Sequence, residues 1–271
     1  MCTHALLVLA LAVASIVVRT DSEQGPREIL DRAMADFRAG RVAESVAGFD
    51  RLAKLVPEAA PQLWQRGIAL YYAGRYQDCR EQFASHRAVN PNDVENAAWH
   101  YLCVARAESP QNARAKILPV GQDSRVPMAE VYQMFLGRST EAQVLTAAGA
   151  NLSAQFYAHL YVGLYLDATG DRTRAREHLA LAAADRYASV GGYMHDVARV
   201  HLKLAGRTFR SVAPGLKARP PYVLSSALTA SVGGPARSGI SPACRSSSQA
   251  GISILEPPGR AAGRSEGGCC R

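Results

Sequence analysis

Apolar residues recur at helical spacing near the start of the chain, in two stripes separated by a glycine. The first stripe consists of Ile29, Leu30, Ala33, Met34 and Phe37. The second stripe consists of Val42, Val46, Phe49 and Leu52. Pro26 precedes the first stripe, Gly40 lies between the two, and Pro57 follows the second, as expected where helices begin and end. The pattern predicts a helix-turn-helix unit in which each helix buries one face.

The same arrangement returns with a fixed period. A spacing of 34 residues relates Gly40, Phe49 and Pro57 to Gly74, Phe83 and Pro91. This period, with a glycine after the first helix and a proline after the second, is typical of tetratricopeptide (TPR) repeats. One unit cannot bury its apolar face alone, so neighbouring units stack into a superhelix with a concave groove. We therefore expect an all-α fold, a TPR superhelix (α-solenoid) with an irregular middle section.

The expected TPR domain covers residues 26–208. Its predicted parts are repeats near 26–59 and 60–93, an irregular section over 94–150, a repeat over 151–188 and a capping helix over 192–205. Within the irregular section, the spacing predicts short helices over 128–136 and 140–148, joined at Gly137. In the last repeat we expect a helix that begins at Asn151 and ends at Gly170.

The two ends of the chain differ from this body in composition. Residues 5–18 read ALLVLALAVASIVV, which is short for a membrane span, so residues 1–20 are predicted to be a signal peptide, with a signal anchor as the alternative. Residues 209–271 are rich in Gly, Pro, Ser, Ala and Arg and are predicted to be a disordered tail. Residues 210–271 carry +6 of the formal charge of +8, so the body has no evident basic face and we predict no nucleic-acid partner.

The sequence offers few candidates for catalytic residues or metal ligands. The six cysteines and seven histidines show neither zinc-site spacing nor an obvious disulfide framework. Cys79 falls where the repeat needs a small residue, so we expect it to be buried by packing. His195 and His201 share a predicted helix but project from different sides of it, so they cannot bind one ion together. Hydrolase, zinc-protease, phosphate-loop and dinucleotide motifs do not occur, and we predict no catalytic residue, no cofactor and no metal.

Several segments carry a likeness beyond the generic repeat. They are RGIALYYAGR over 66–75, NPND over 90–93, WHYL over 99–102, FLG over 135–137 and FYAHLYVGLYLDATGD over 156–171. In this order, over roughly 27–206, the chain resembles the NlpI-type TPR lipoproteins of bacterial envelopes. The resemblance implies an envelope adaptor that binds peptidoglycan hydrolases and proteases, often as a homodimer. One difference is that Arg19 follows the apolar run, where that family carries its acylated Cys.

The predicted site is the concave groove. By repeat register, the residues that should line it are Leu30, Met34, Phe37, Trp64, Ile68 and Tyr71. Such an apolar, aromatic strip suits a protein or peptide partner. The alternatives are that a neighbouring helix, a dimer mate or the chain's own terminus covers the strip. We therefore expect a non-enzymatic adaptor or scaffold, exported to the periplasm or cell envelope, with membrane contact only through residues 5–18 if they are not cut.

Two other functions stay open at this point. One is a homo-oligomeric structural subunit that associates through its end helices. The other is an enzyme subunit whose site lies in the irregular stretch 108–150, where Asp123, Arg125 and Glu130 are the candidate polar residues.

Overall fold

The computed structural model describes residues 24–211, with side-chain surroundings through residue 206. Every regular element within these residues is a helix, so the predicted all-α class is confirmed for the part of the chain that is described. These residues divide into two compact units, 24–121 and 122–211. The predicted signal segment 1–20 and residues 212–271 of the predicted tail lie outside the described residues.

The first unit contains six α-helices. They are α1 (Pro26–Arg38), α2 (Val42–Leu55), α3 (Trp64–Tyr72), α4 (Tyr76–His86), α5 (Val94–Ala107) and α6 (Pro110–Ala115). A 3-10 helix over Pro57–Gln62 connects α2 to α3. Gly40 and Gly74 have φ values of 73° and 75°, so the helix-ending glycines adopt the left-handed backbone that non-glycine residues rarely take.

Small residues allow the paired helices of the first unit to approach closely. A Cβ atom added at Gly67 of α3 would lie 2.6 Å from the ring of Phe83 on α4. In the preceding pair, a Cβ atom at Gly48 of α2 would lie 3.0 Å from the Cβ of Ala33 on α1. Phe83 itself is fully buried, so the large side chain of one helix fills the space that glycine leaves on the other.

A disulfide bond joins α4 to α5, between Cys79 and Cys103, whose Cα atoms are 5.9 Å apart. Both residues are completely buried, so the prediction that Cys79 is buried is confirmed. The prediction that the cysteines form no disulfide framework is wrong for this pair. A bonded cysteine and a packed thiol fill the same small buried position, and the repeat register does not distinguish them.

The second unit contains five α-helices. They are α7 (Met128–Phe135), α8 (Glu141–Ala148), α9 (Leu152–Thr169), α10 (Arg172–Ala182) and α11 (Ala188–Ser211). A 3-10 helix over Asp185–Tyr187 precedes α11, and Gly192, with φ of 50°, interrupts α11 near its start. The short helices predicted over 128–136 and 140–148 are confirmed within one residue. The predicted capping helix over 192–205 is part of α11, which extends to Ser211.

Helix α9 is the centre of the second unit and contacts α7, α8, α10 and α11. Asn151 accepts a hydrogen bond from Ala154 N at 2.9 Å and so caps the start of α9, at the residue where the helix is predicted to begin. Gly170, with φ of 105°, ends it. A Cβ atom at Gly163 would lie 2.7 Å from Leu179 Cγ, so α9 and α10 approach closely at a glycine, as α3 and α4 do.

Candidate protein-binding site

The six residues predicted to line the groove lie on α1 and α3 of the first unit. Four of them are buried side chains, namely Leu30, Phe37, Ile68 and Tyr71. The other two, Met34 and Trp64, are half-buried. Only Met34 on α1 and Trp64 on α3 therefore keep accessible surface among the six predicted residues, and we call these two positions the open face. Binding of a partner there stays a prediction.

The buried members of the strip contact the unit's own aromatic residues. The ring of Tyr71 makes edge contacts with Tyr72, Tyr76 and Trp99, at centroid separations of 5.2, 5.8 and 5.5 Å respectively. Phe37 lies 5.6 Å from the ring of Tyr72. Each such pair contributes about 0.5–1.5 kcal/mol beyond its buried area. Replacing Tyr71 therefore tests the stability of the core, and only Met34 and Trp64 test the open face separately.

The position of Tyr71 is fixed by a polar contact as well. Arg106 of α5 donates a hydrogen bond from Nε to the Tyr71 hydroxyl at 3.1 Å. Because a buried hydroxyl is costly without a partner, this bond explains how a tyrosine is accommodated in an apolar cluster. It also ties α3 to α5.

A charged network holds α3 in place beside the open face. Arg66, two residues after Trp64, donates to Asp50 Oδ1 of α2 at 2.8 Å and to Gln82 Oε1 of α4 at 2.8 Å. Arg75 pairs with the other carboxylate oxygen of Asp50. Burial raises the pKa of Asp50, but hydrogen bonds from Arg75 and Arg66 and their charges outweigh it, and the net pKa is lowered. The carboxylate is therefore ionised at neutral pH and joins α2 to α3 and to the turn that precedes α4.

Two of the three candidate polar residues of the irregular stretch, Asp123 and Arg125, pair with each other. Arg125 donates from Nε to Asp123 Oδ1 at 3.0 Å and from Nη2 to Asp123 Oδ2 at 2.7 Å. The backbone N–H of Arg125 also donates to Asp123, at 3.1 Å. Glu130 lies on α7 and is half-buried. Asp123 and Arg125 are thus paired within the loop, an arrangement typical of ordered connections between helices.

Several histidines make structural contacts. His86 Nδ1 lies 2.8 Å from the carbonyl of Pro61, and His195 Nε2 lies 3.2 Å from the carbonyls of Ala183 and Ala184. Burial, with the charge of Arg80, lowers the pKa of His100 to about 4. Among the described residues, no group of three or more His, Cys, Asp or Glu side chains is arranged to hold a metal ion.

One contact between chemically active side chains is absent from the sequence-based predictions. His159 of α9 and His178 of α10 face each other with their Nδ1 atoms 3.0 Å apart. The residues are 19 positions apart on different helices, so no motif spacing within one helix connects them. The short turn between α9 and α10 predicts that the two helices pack side by side, but it does not specify which side chains meet, so the sequence carries no signal for this pair.

Comparison with known families adds no assignment, because no family model matches the chain. The disulfide in the first unit is consistent with an oxidising compartment outside the cytoplasm. No helix among residues 24–211 combines the length and apolar character needed for a membrane span.

Proposed function

We propose that this protein is an exported, non-enzymatic TPR adaptor whose open face binds a partner protein. The observation that carries the proposal is a layout shared by two helix pairs. Gly67 is followed by the turn glycine Gly74 seven residues later and by its contact residue Phe83 sixteen residues later. Gly163 is followed at the same intervals by Gly170 and Leu179. A repeated local geometry of this kind is typical of TPR arrays, which commonly present binding surfaces to proteins.

The open face favours an apolar partner segment. Met34 and Trp64 are half-buried, so each can lose further surface on binding, and tryptophan is among the residues that dominate binding energies. The network of Asp50, Arg66 and Gln82 fixes the helix that carries Trp64, which lowers the entropy cost of binding. A helix or extended segment with apolar anchors fits this chemistry.

We place the adaptor in the periplasm or cell envelope. Support comes from the apolar residues 5–18, from the disulfide between Cys79 and Cys103, and from the resemblance to NlpI-type proteins. By that resemblance, the clients are peptidoglycan hydrolases or proteases. Attachment to the membrane would depend on residues 5–18 remaining uncut.

The test is affinity capture with the full chain from cells that produce it. Trp64→Glu and Met34→Glu place a charge on the open face, and Leu55→Glu is the matched control, because Leu55 is 53% exposed at the end of α2. We expect the two open-face variants to lose the captured partner and the control to retain it. Equal capture by all three variants would contradict the assignment of the open face, and recovery of only the protein itself would support a homo-oligomer instead.

A further inference from the structure

The imidazole rings of His159 and His178 meet head-on. Their Nδ1 atoms are 3.0 Å apart and their ring centroids are 5.3 Å apart, with 37° between the ring planes. For a fixed distance of 3.0 Å between the two nitrogens, the ring centroids are farthest apart when both nitrogens lie on the line that joins the centroids. The observed separation of 5.3 Å is close to that maximum, so both nitrogens lie near this line. That is the geometry of a straight N–H···N hydrogen bond.

The head-on arrangement distinguishes a hydrogen bond from a metal site. Two nitrogens that share a metal ion each lie about 2.0–2.1 Å from it, and their lone pairs converge at an angle. In the His159–His178 pair the lone-pair directions oppose each other along one line. The space between the nitrogens accommodates a proton and not a metal ion.

The bond limits how many protons the pair can hold. One imidazole must donate Nδ1–H and the other must offer its Nδ1 lone pair. The bond therefore exists when both rings are neutral and when one ring is protonated. When both rings are protonated, two N–H groups and two positive charges face each other at the same contact.

The charges closest to the pair oppose a second proton. Burial, then the charge of His178, then that of Arg186 lower the pKa of His159 to about 4. Burial and the charge of Arg174 lower the pKa of His178, while Glu177 acts in the opposite direction. The sum of these effects favours neutral rings at neutral pH.

Other titratable and charged groups lie on the elements packed against α9 and α10, and several of them have partners of their own. Glu141 of α8 pairs with Arg174. On α11, His195 bonds to carbonyls at the end of α10, and His201 lies 3.7 Å from Asp167 of α9. The remaining charged side chains that the structure describes on α7, on the 3-10 helix and on α11 are Glu130, Asp185, Asp196, Arg199 and Lys203.

We propose that the His159–His178 pair is an acid-sensitive clasp between α9 and α10, closed while it holds at most one extra proton and released when both imidazoles are protonated. The clasp lies in the second unit and the open face lies in the first, so this proposal is separate from the binding proposed at the open face. It gives the second unit a stability that depends on the pH of its compartment. The sign follows from the lowered pKa values: the stabilisation is present above the ordinary histidine pKa of about 6.5 and is lost as the pH falls toward 4.

The first test examines the hydrogen bond in the wild-type full chain. Long-range nitrogen–proton NMR of a sample with labelled histidines reports which ring nitrogen carries the proton, and a His178→Gln sample assigns the signals. At pH 7.5 we expect one ring of the pair to carry its proton on Nδ1 and the other on Nε2. Both rings with the proton on Nε2 would overturn the proposal, because neither Nδ1 could then donate.

The second test examines the consequence for the helices. Hydrogen exchange of α9 and α10 is measured at pH 7 and pH 4.5 and corrected for the intrinsic pH dependence of exchange. In the wild type we expect about a tenfold increase in local opening at pH 4.5. In the double variant His159→Gln, His178→Gln, whose side chains do not titrate, we expect less than about a twofold increase. An equal increase in both proteins would overturn the clasp.

Discussion

The disulfide between Cys79 and Cys103 gives the sharpest stability prediction. The bond closes a loop with a sequence separation of 24 between α4 and α5. In the chain-entropy model, such a loop restricts the unfolded state by about 3.5 kcal/mol at 25 °C. Reduction of the bond should therefore lower the free energy of unfolding of the first unit by about 3 kcal/mol.

The assay is urea unfolding followed by tryptophan fluorescence, with and without a reductant. Trp64 and Trp99 are the chain's two tryptophans, and both lie in the first unit, so the signal reports that unit. The double variant Cys79→Ala, Cys103→Ala is the control for the cysteines elsewhere in the chain, and its unfolding should not respond to the reductant. An unchanged wild-type midpoint in the presence of the reductant would contradict a stabilising disulfide, and so would reaction of both cysteines with an alkylating agent before reduction.

Three further substitutions test the packing and the polar contacts through the free energy of unfolding. Gly163→Ala should lower the free energy of unfolding by about 1 kcal/mol, because overpacking against α10 outweighs the gain in helix propensity. Gly206→Ala is the control and should be neutral or stabilising, because a Cβ atom there meets nothing within 4 Å. A stable Gly163→Ala protein would show that the two helices can separate without cost. Asp50→Asn should lower the free energy of unfolding by about 1–2 kcal/mol at pH 7. The difference from the wild type should shrink as the pH falls below about 4, because the wild-type carboxylate has a lowered pKa and its stabilisation is lost in acid. A difference that does not change with pH would contradict this. Thr140→Ala removes the capping box of α8 and should cost about 1 kcal/mol, and an unchanged melting curve would show that the cap is dispensable.

The helices and their boundaries could be predicted because the relevant signals are local. Gly40, Gly74 and Gly170 each end a helix with a positive φ, as their positions after apolar stripes predict. Asn151 caps α9 through a bond to a backbone N–H three residues later, which depends only on nearby sequence. Short-range steric and hydrogen-bonding requirements of this kind are present in any window of the chain.

The parts of the site that depend on distant residues could not be predicted. Repeat register places Ile68 and Tyr71 on one face of α3, but their burial depends on the aromatic residues of other helices, such as Trp99. The bond between Cys79 and Cys103 and the contact between His159 and His178 both join neighbouring helices. Such contacts require the rotation of each helix about its axis, and apolar periodicity fixes that rotation only to within a broad face.

Binding of another protein at the open face of the first unit is the main functional proposal for this chain. The most direct measurement is photo-crosslinking in producing cells from a photoreactive residue placed at position 64, compared with the same residue at position 55. We predict a discrete crosslinked product with a second protein from position 64 and none from position 55. The absence of a product from position 64, or the same products from both positions, would contradict the claim.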